Sequence, residues 1–148
     1  MILERLKEDV VLGDGGAILE LERRGYVAAG PFTPEVTVLH PEAVRQLQVE
    51  FARAGSDVIQ ALAYYAHEEK LKDIGLQAGL EEINRAAVSI AREAAEPYGA
   101  LVAGNLSNTW VYRPDDAAAA KETRRQLDEQ VSYQVAGVDF FIAETIEL

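Results

Sequence analysis

Apolar positions along this chain follow two different periods. Four short runs are almost continuously apolar or β-branched: Val10-Val11-Leu12, Val58-Ile59 continuing to Ala63, Leu101-Val102-Ala103, and Val138 to Ala143. Each ends in glycine, polar, aromatic or acidic residues, as a buried strand does where it turns. Between them, apolar residues recur every three or four positions. Ile18, Leu19 and Leu21 do so before Gly25, as do Val44, Leu47, Phe51 and Ala54 between Pro41 and Gly55. Leu80, Ile83, Ala87, Ile90 and Ala94 follow the same rule before Pro97, and Leu127 and Val131 sit in a helix opened by Pro114-Asp115-Asp116. Proline or acid at the start and glycine at the end are helix punctuation.

The pattern predicts strands near 10–13, 57–63, 100–104 and 138–143, alternating with helices. Residues 1–8 read as a short amphipathic helix over the bottom of the first strand, 26–39 as a loop, and 67–72 as a charged helical turn or surface loop. Helices of this length between strands imply parallel pairing with right-handed crossovers. The junctions Ala54-Gly55-Ser56-Asp57-Val58-Ile59 and Ala136-Gly137-Val138-Asp139-Phe140-Phe141 repeat one order of helix, glycine, acid and strand. The expected fold is α/β, a (βα)4 half of a TIM-type (βα)8 barrel in one domain over 1–148. An open doubly wound sheet is the alternative that the pattern leaves standing. Both place function at the C-terminal ends of the strands. Gly13 and Gly15 are followed by Ile18 where a dinucleotide fingerprint needs its third glycine.

Composition narrows the chemistry. With 148 residues, 49% hydrophobic and 26% charged, the chain has globular proportions. A net charge of -11 repels phosphate backbones and anionic membranes, so neither nucleic acid nor membrane is an expected partner. There is no cysteine, and His40 and His67 are the only imidazoles, so a transition-metal site within the chain is not expected. His40 reads as a helix-start residue and His67 as a surface one. Mixed charges at the start and the lack of a long apolar run point to the cytoplasm.

Parallel strands would bring Asp14, Tyr64, Tyr65, Asn105 and Glu144 to one rim. Two carboxylates there suit a cationic amino group, and aromatic faces from the tyrosines, Phe32 and Trp110 suit a quaternary ammonium. A small zwitterion fits this mixture better than a phosphate. Asp14 equally suits a helix cap, and Trp110 an interface anchor.

Several segments resemble a known family in their joint order. They are Leu3-Glu4-Arg5-Leu6, Gly13-Asp14-Gly15-Gly16, Arg24-Gly25-Tyr26-Val27, Gly30-Pro31-Phe32-Thr33-Pro34-Glu35, His40-Pro41-Glu42-Ala43-Val44, Ala54-Gly55-Ser56-Asp57-Val58-Ile59-Gln60, Leu101-Val102-Ala103-Gly104 and Val138-Asp139-Phe140-Phe141-Ile142-Ala143-Glu144. Together they are similar to the N-terminal half of betaine–homocysteine S-methyltransferases, in the homocysteine S-methyltransferase family. The resemblance implies a barrel that moves a methyl group from betaine to homocysteine on a zinc ion held by three cysteines in the family's other half. It assigns Asp14, Gly15, Phe32, Tyr65 and Glu144 to substrate binding, and no catalytic or metal residue to this chain. Phe32 stands where a tryptophan is usual, Ala61 and Ala63 where threonines are, and Thr145 where an aromatic is. A half barrel exposes two strand edges, so association as a homodimer or higher even oligomer is expected. By itself the chain is expected to be inactive in methyl transfer, with no cofactor of its own; the alternative is a methyltransferase or ligand-binding subunit whose partner supplies the zinc cysteines.

Overall fold

The computed structural model describes residues 2–28 and 34–146. Phe32 and its neighbours 29–33 therefore lie outside the described residues. The elements in order are α1 (Ile2–Glu8), α2 (Ala17–Arg23), α3 (Val36–Leu39), α4 (Pro41–Ala54), β1 (Val58–Gln60), α5 (Glu68–Asp73), α6 (Leu80–Ala95), β2 (Leu101–Ser107), α7 (Ala117–Gln134) and β3 (Phe140–Glu144). The three strands form one parallel sheet in the order β1-β2-β3. Val58 pairs with Leu101 and Ala103 with Phe140. Among the described residues no helix is long and apolar enough to cross a membrane.

The helices form for the reasons legible in the chain. Pro41 opens α4 and Gly55 closes it in the left-handed region, φ 109°, which glycine adopts without strain. The Asp116 carboxylate caps α7, accepting from the amides of Ala118 and Ala119 at 2.9 and 3.0 Å. The main core lies between α6 and the sheet, where Ile83, Ala87, Val88, Ala91 and Ala95 meet Ile59, Ala61 and Val102. A second cluster joins Leu21 of α2, Val36 of α3, and Val44 and Leu47 of α4 to Leu62 and Ile90.

Several expectations are corrected. The segment 10–13 runs beside β1 but is not a strand. The Leu12 carbonyl accepts from both Asp57 and Val58 amides at 2.8 and 3.1 Å, while the Leu12 N–H donates to the Asp57 carboxylate at 3.0 Å. One carbonyl thus serves two donors and a side chain takes the N–H, so no ladder propagates. Val10 and Leu12, 76% and 57% exposed, have no burial to hold them in register. The α1 helix, expected as an amphipathic lid, buries no residue of its own. Residues 36–39, read as loop, make a helical turn because Val36 and Thr37 are buried, with the Thr37 hydroxyl donating to the Leu62 carbonyl at 3.1 Å. Finally, α7 buries Gln126, Gln130 and Gln134, while Leu127 and Val131 are only half-buried.

The strands also end differently. Expected to reach 63, β1 stops at Gln60, while β2 runs on to Ser107 and β3 to Glu144.

Candidate functional site

Asp14 sits just before α2, where the chain leaves the side of β1. Its carboxylate accepts from the backbone N–H of Gln60, the last residue of β1, at 3.0 Å. Burial pushes the Asp14 carboxyl up to about 6; the Gln60 bond opposes this, and the Glu144 charge nearby adds a smaller upward push. Glu144 ends β3. Its Oε2 accepts from the Asn105 side-chain amide at 2.9 Å and from the Gln60 amide at 3.4 Å. The ends of all three strands therefore meet: Gln60 touches both acids, and Asn105 holds the second.

These groups line an open pocket of about 370 Å³ with Gly15, Gly16, Leu62, Tyr64 and Tyr65. Gly15 is there for space. A Cβ on it would lie 2.9 Å from the Phe51 ring, and Phe51 packs against both core clusters. Gly15→Ala is expected to cost about 1–2 kcal/mol by overpacking, read as a lower urea midpoint at unchanged slope; an unchanged midpoint would show that Phe51 moves freely.

The aromatic wall is built by a turn. After β1 the chain coils through Ala61 to Ala66, and Tyr65 takes a left-handed backbone, φ 63°. Its N–H donates to the Ser107 hydroxyl at 3.1 Å, which ties the turn to the end of β2. Because the strand has already ended, Tyr64 and Tyr65 lie on one side, rings 4.2 Å apart, and both line the pocket. Trp110, 48% exposed, has its ring 6.3 Å from that of Tyr65. The Lys70 ammonium lies 5.3 Å over the Tyr65 ring and 5.0 Å over Trp110, so these faces already hold a cation.

The sequence-based site residues Asp14, Gly15, Tyr65 and Glu144 are brought together, and Phe32 lies outside the described residues. One contributor to the pocket was missed, and one residue beside its aromatic wall was misplaced. Gln60 reads in the sequence as one more strand residue; its polarity inside an apolar run was the available signal. His67, expected at the surface, is wholly buried. Its Nδ1 accepts from the Lys70 backbone N–H as the cap of α5, at 3.5 Å, and its Nε2 is buried without a partner. Burial pushes the imidazole down to about 4; contacts with the Asn108 backbone and the Gln126 side chain oppose this, and the Lys70 charge adds a smaller downward push. His40 is exposed at the start of α4, as expected.

What this arrangement does chemically is limited by its donor set. It offers two carboxylates, side-chain amides and aromatic faces, but no thiol anywhere in the chain. Among the described residues no three His, Asp or Glu side chains cluster closely enough to hold a metal ion.

Known proteins share this chain's pattern throughout. A family model described as homocysteine S-methyltransferase matches residues 11–148. Betaine--homocysteine S-methyltransferase 1 of Sus scrofa is 47% identical over 153 aligned residues, covering 99% of this chain and 54% of that protein. S-methylmethionine--homocysteine S-methyltransferase BHMT2 of Pongo abelii is 44% identical over 149 residues, covering 99% of this chain and 39% of that protein. The crystal structure of the metallated homocysteine methyltransferase MmuM from Escherichia coli matches with a TM-score of 0.81 at 26% identity, over 95% of this chain and 56% of that one. The chain spans 54% or less of the length of the two curated relatives. Its parallel α/β sheet is similar to that of MmuM, and by sequence and fold together the chain belongs to the homocysteine S-methyltransferase family.

Proposed function

We propose that this chain is a half-barrel relative of the homocysteine S-methyltransferases that binds a small zwitterionic amino acid at its strand-end pocket, completes its sheet with a second copy, and carries no zinc-dependent methyl transfer on its own. The observation that carries the binding reading is the Asp14–Gln60–Glu144–Asn105 cluster, two carboxylates spanned by amides in one pocket. A ligand ammonium between the acids would replace their repulsion with two charge-assisted hydrogen bonds.

The three-cysteine zinc that the family resemblance implies does not fit these residues, since the chain has no thiolate to offer. Asp14 and Glu144 would orient the ligand, and the Tyr64–Tyr65 wall would exclude water from one side of it.

Self-association is supported by β3. Its outer edge has no strand partner among the described residues, and Phe140, Phe141 and Ile142 along it are only half-buried. Parallel sheets are ordinarily covered on both faces and rarely end in an apolar edge. A second reading is a subunit whose partner chain supplies the zinc cysteines, and it is favoured by relatives that run to about twice this length or more.

The tests separate these. Light scattering is expected to give an even oligomer that Phe141→Lys dissociates; a folded monomer rejects self-association. Calorimetry with L-homocysteine is expected to give saturable heat, lost in Glu144→Gln, and an absence of heat at millimolar ligand rejects the binding reading. Stoichiometric zinc on the purified chain would overturn the claim that it lacks a metal of its own.

A further inference from the structure

A buried amide on α7 does the work of a strand where β1 stops. Along β2, alternate residues present their backbone groups to opposite neighbours, as a parallel strand requires. Val102 faces β3, its carbonyl accepting from Asp139. Leu101 and Ala103 face β1: the Leu101 N–H donates to the Asp57 carbonyl, and the Ala103 carbonyl accepts from Ala61. Asn105 is next in that series, but the chain has turned away after Ala61. Its N–H and C=O both face the vacated side, in a residue 2% exposed.

Gln134 satisfies both. Its Oε1 accepts from the Asn105 N–H at 3.0 Å, and its Nε2 donates to the Asn105 carbonyl at 3.1 Å. The same Nε2 donates to the Asn84 Oδ1 at 2.7 Å. Asn84 in turn donates to the carbonyls of Ala66, at 2.9 Å, and Leu80, at 2.8 Å, which fixes which way round its amide lies. Ala66 follows the left-handed Tyr65. On its other side, the Asn105 side chain holds Glu144. One fully buried glutamine thus joins the acid at the end of β3 to the turn that carries the aromatic wall.

We infer that Gln134 is a positioning residue for the pocket: its side-chain amide substitutes for the missing continuation of β1, holds β1 and β2 apart at the pocket, and sets Asn105 so that Glu144 is aimed at the ligand's ammonium. The pocket depends on this substitution. If β1 continued along β2, its backbone would occupy the space into which Gln60, Asn105 and Tyr65 now open. The residue type is dictated as well, because the position demands one acceptor and two donors at once. An ionised glutamate offers only acceptors, and leucine offers neither. Gly104 is small for two neighbours, since a Cβ there would meet the Phe141 ring at 2.6 Å and the Gln134 Oε1 at 2.9 Å.

The aim at an ammonium rests on the binding reading above; the substitution for β1 does not, and the experiment reads them separately. In the wild-type chain, the Asn105 amide is expected to exchange with solvent as slowly as the ladder amides Leu101 and Val102, although no strand faces it. Fast exchange at Asn105 overturns the inference whatever ligand binds. In Gln134→Leu, which removes both the acceptor and the donors, that protection is expected to fall and L-homocysteine affinity to drop roughly tenfold by calorimetry. Gln126→Leu is the control: it is equally buried on the same helix face but touches neither Asn105 nor Asn84. It is expected to lose thermal stability while keeping affinity within about twofold, a split that a purely structural role for the glutamine face would not produce. Equal affinity losses in the two variants, or retained Asn105 protection in Gln134→Leu, reject the inference. Wild-type protein that protects Asn105 yet binds no L-homocysteine rejects the ligand reading alone. Should Gln134→Leu not fold, the wild-type exchange measurement decides.

Discussion

Asp14→Asn is expected to make the protein more stable above pH 6 and to abolish ligand binding. The Asp14 carboxyl titrates near 6 in the fold because burial disfavours its charge, against about 3.9 in an unfolded chain. The folded state therefore binds a proton between these values that the unfolded state does not. Stability from this group is full below about pH 4 and is lost as pH rises through 6. The shift converts to on the order of 2 kcal/mol after discounting for partial exposure. Asparagine keeps an acceptor for the Gln60 amide and carries no charge, so the variant should gain about that much at pH 8 and nothing at pH 4. Urea midpoints of both proteins from pH 4 to 8 measure it; a constant difference across that range rules out the raised carboxyl. The functional side has the same cause. A ligand ammonium needs the ionised form, so wild-type affinity should fall as pH drops below 6, with a proton released on binding there.

His67 carries the opposite pH dependence. Its imidazole titrates near 4 in the fold, against about 6.5 unfolded. Its Nδ1 accepts from the Lys70 amide, so the neutral ring keeps its proton on Nε2, which is buried. Here the unfolded state takes up the proton first. Stability is full above about pH 6.5 and is lost as pH falls toward 4, by about 3 kcal/mol over the window. In the wild type this loss and the Asp14 gain overlap and largely offset each other. Asp14→Asn should therefore unmask a steep acid loss. His67→Asn, which keeps a cap acceptor for α5 but leaves space where the ring was, should cost about 1–2 kcal/mol at pH 7 and become relatively more stable toward pH 4. Thermal midpoints across the same pH series test this. A His67→Asn profile parallel to wild type would mean that the ring is not buried as neutral imidazole.

The two groups flank the turn that follows β1, and this is where sequence and structure part company. The later helices were legible because their signals are local: Pro41 and Gly55 bracket α4, and Asp116 caps α7. The parallel order of three strands followed from the alternation of runs, and Asp14 and Glu144 were identifiable as acids that finish apolar stretches. The resemblance to the homocysteine S-methyltransferases was readable from motif order, and the comparisons bear it out. His67 was not legible, because Glu68 and Glu69 beside it mark a charged surface while the ring itself turns inward under α7. The glutamine face of α7 was not legible either. Helical spacing pointed to Leu127 and Val131, but the surface that α7 covers carries backbone groups of Asn105 and Ala66 that need amides, not methyls.

By itself, then, the sequence determined the elements whose causes lie within a few residues: caps, apolar periods, strand-helix alternation and the acids at strand ends. Only the tertiary structure decided where β1 stops, that 10–13 lies beside it without joining the ladder, and which polar side chains are drawn into the space between. The physical reason is that a backbone N–H or C=O must find a partner once buried, and which partner it finds depends on chains far apart in sequence. Asn105 is answered by Gln134 and Leu12 by Asp57, pairings that no local pattern encodes.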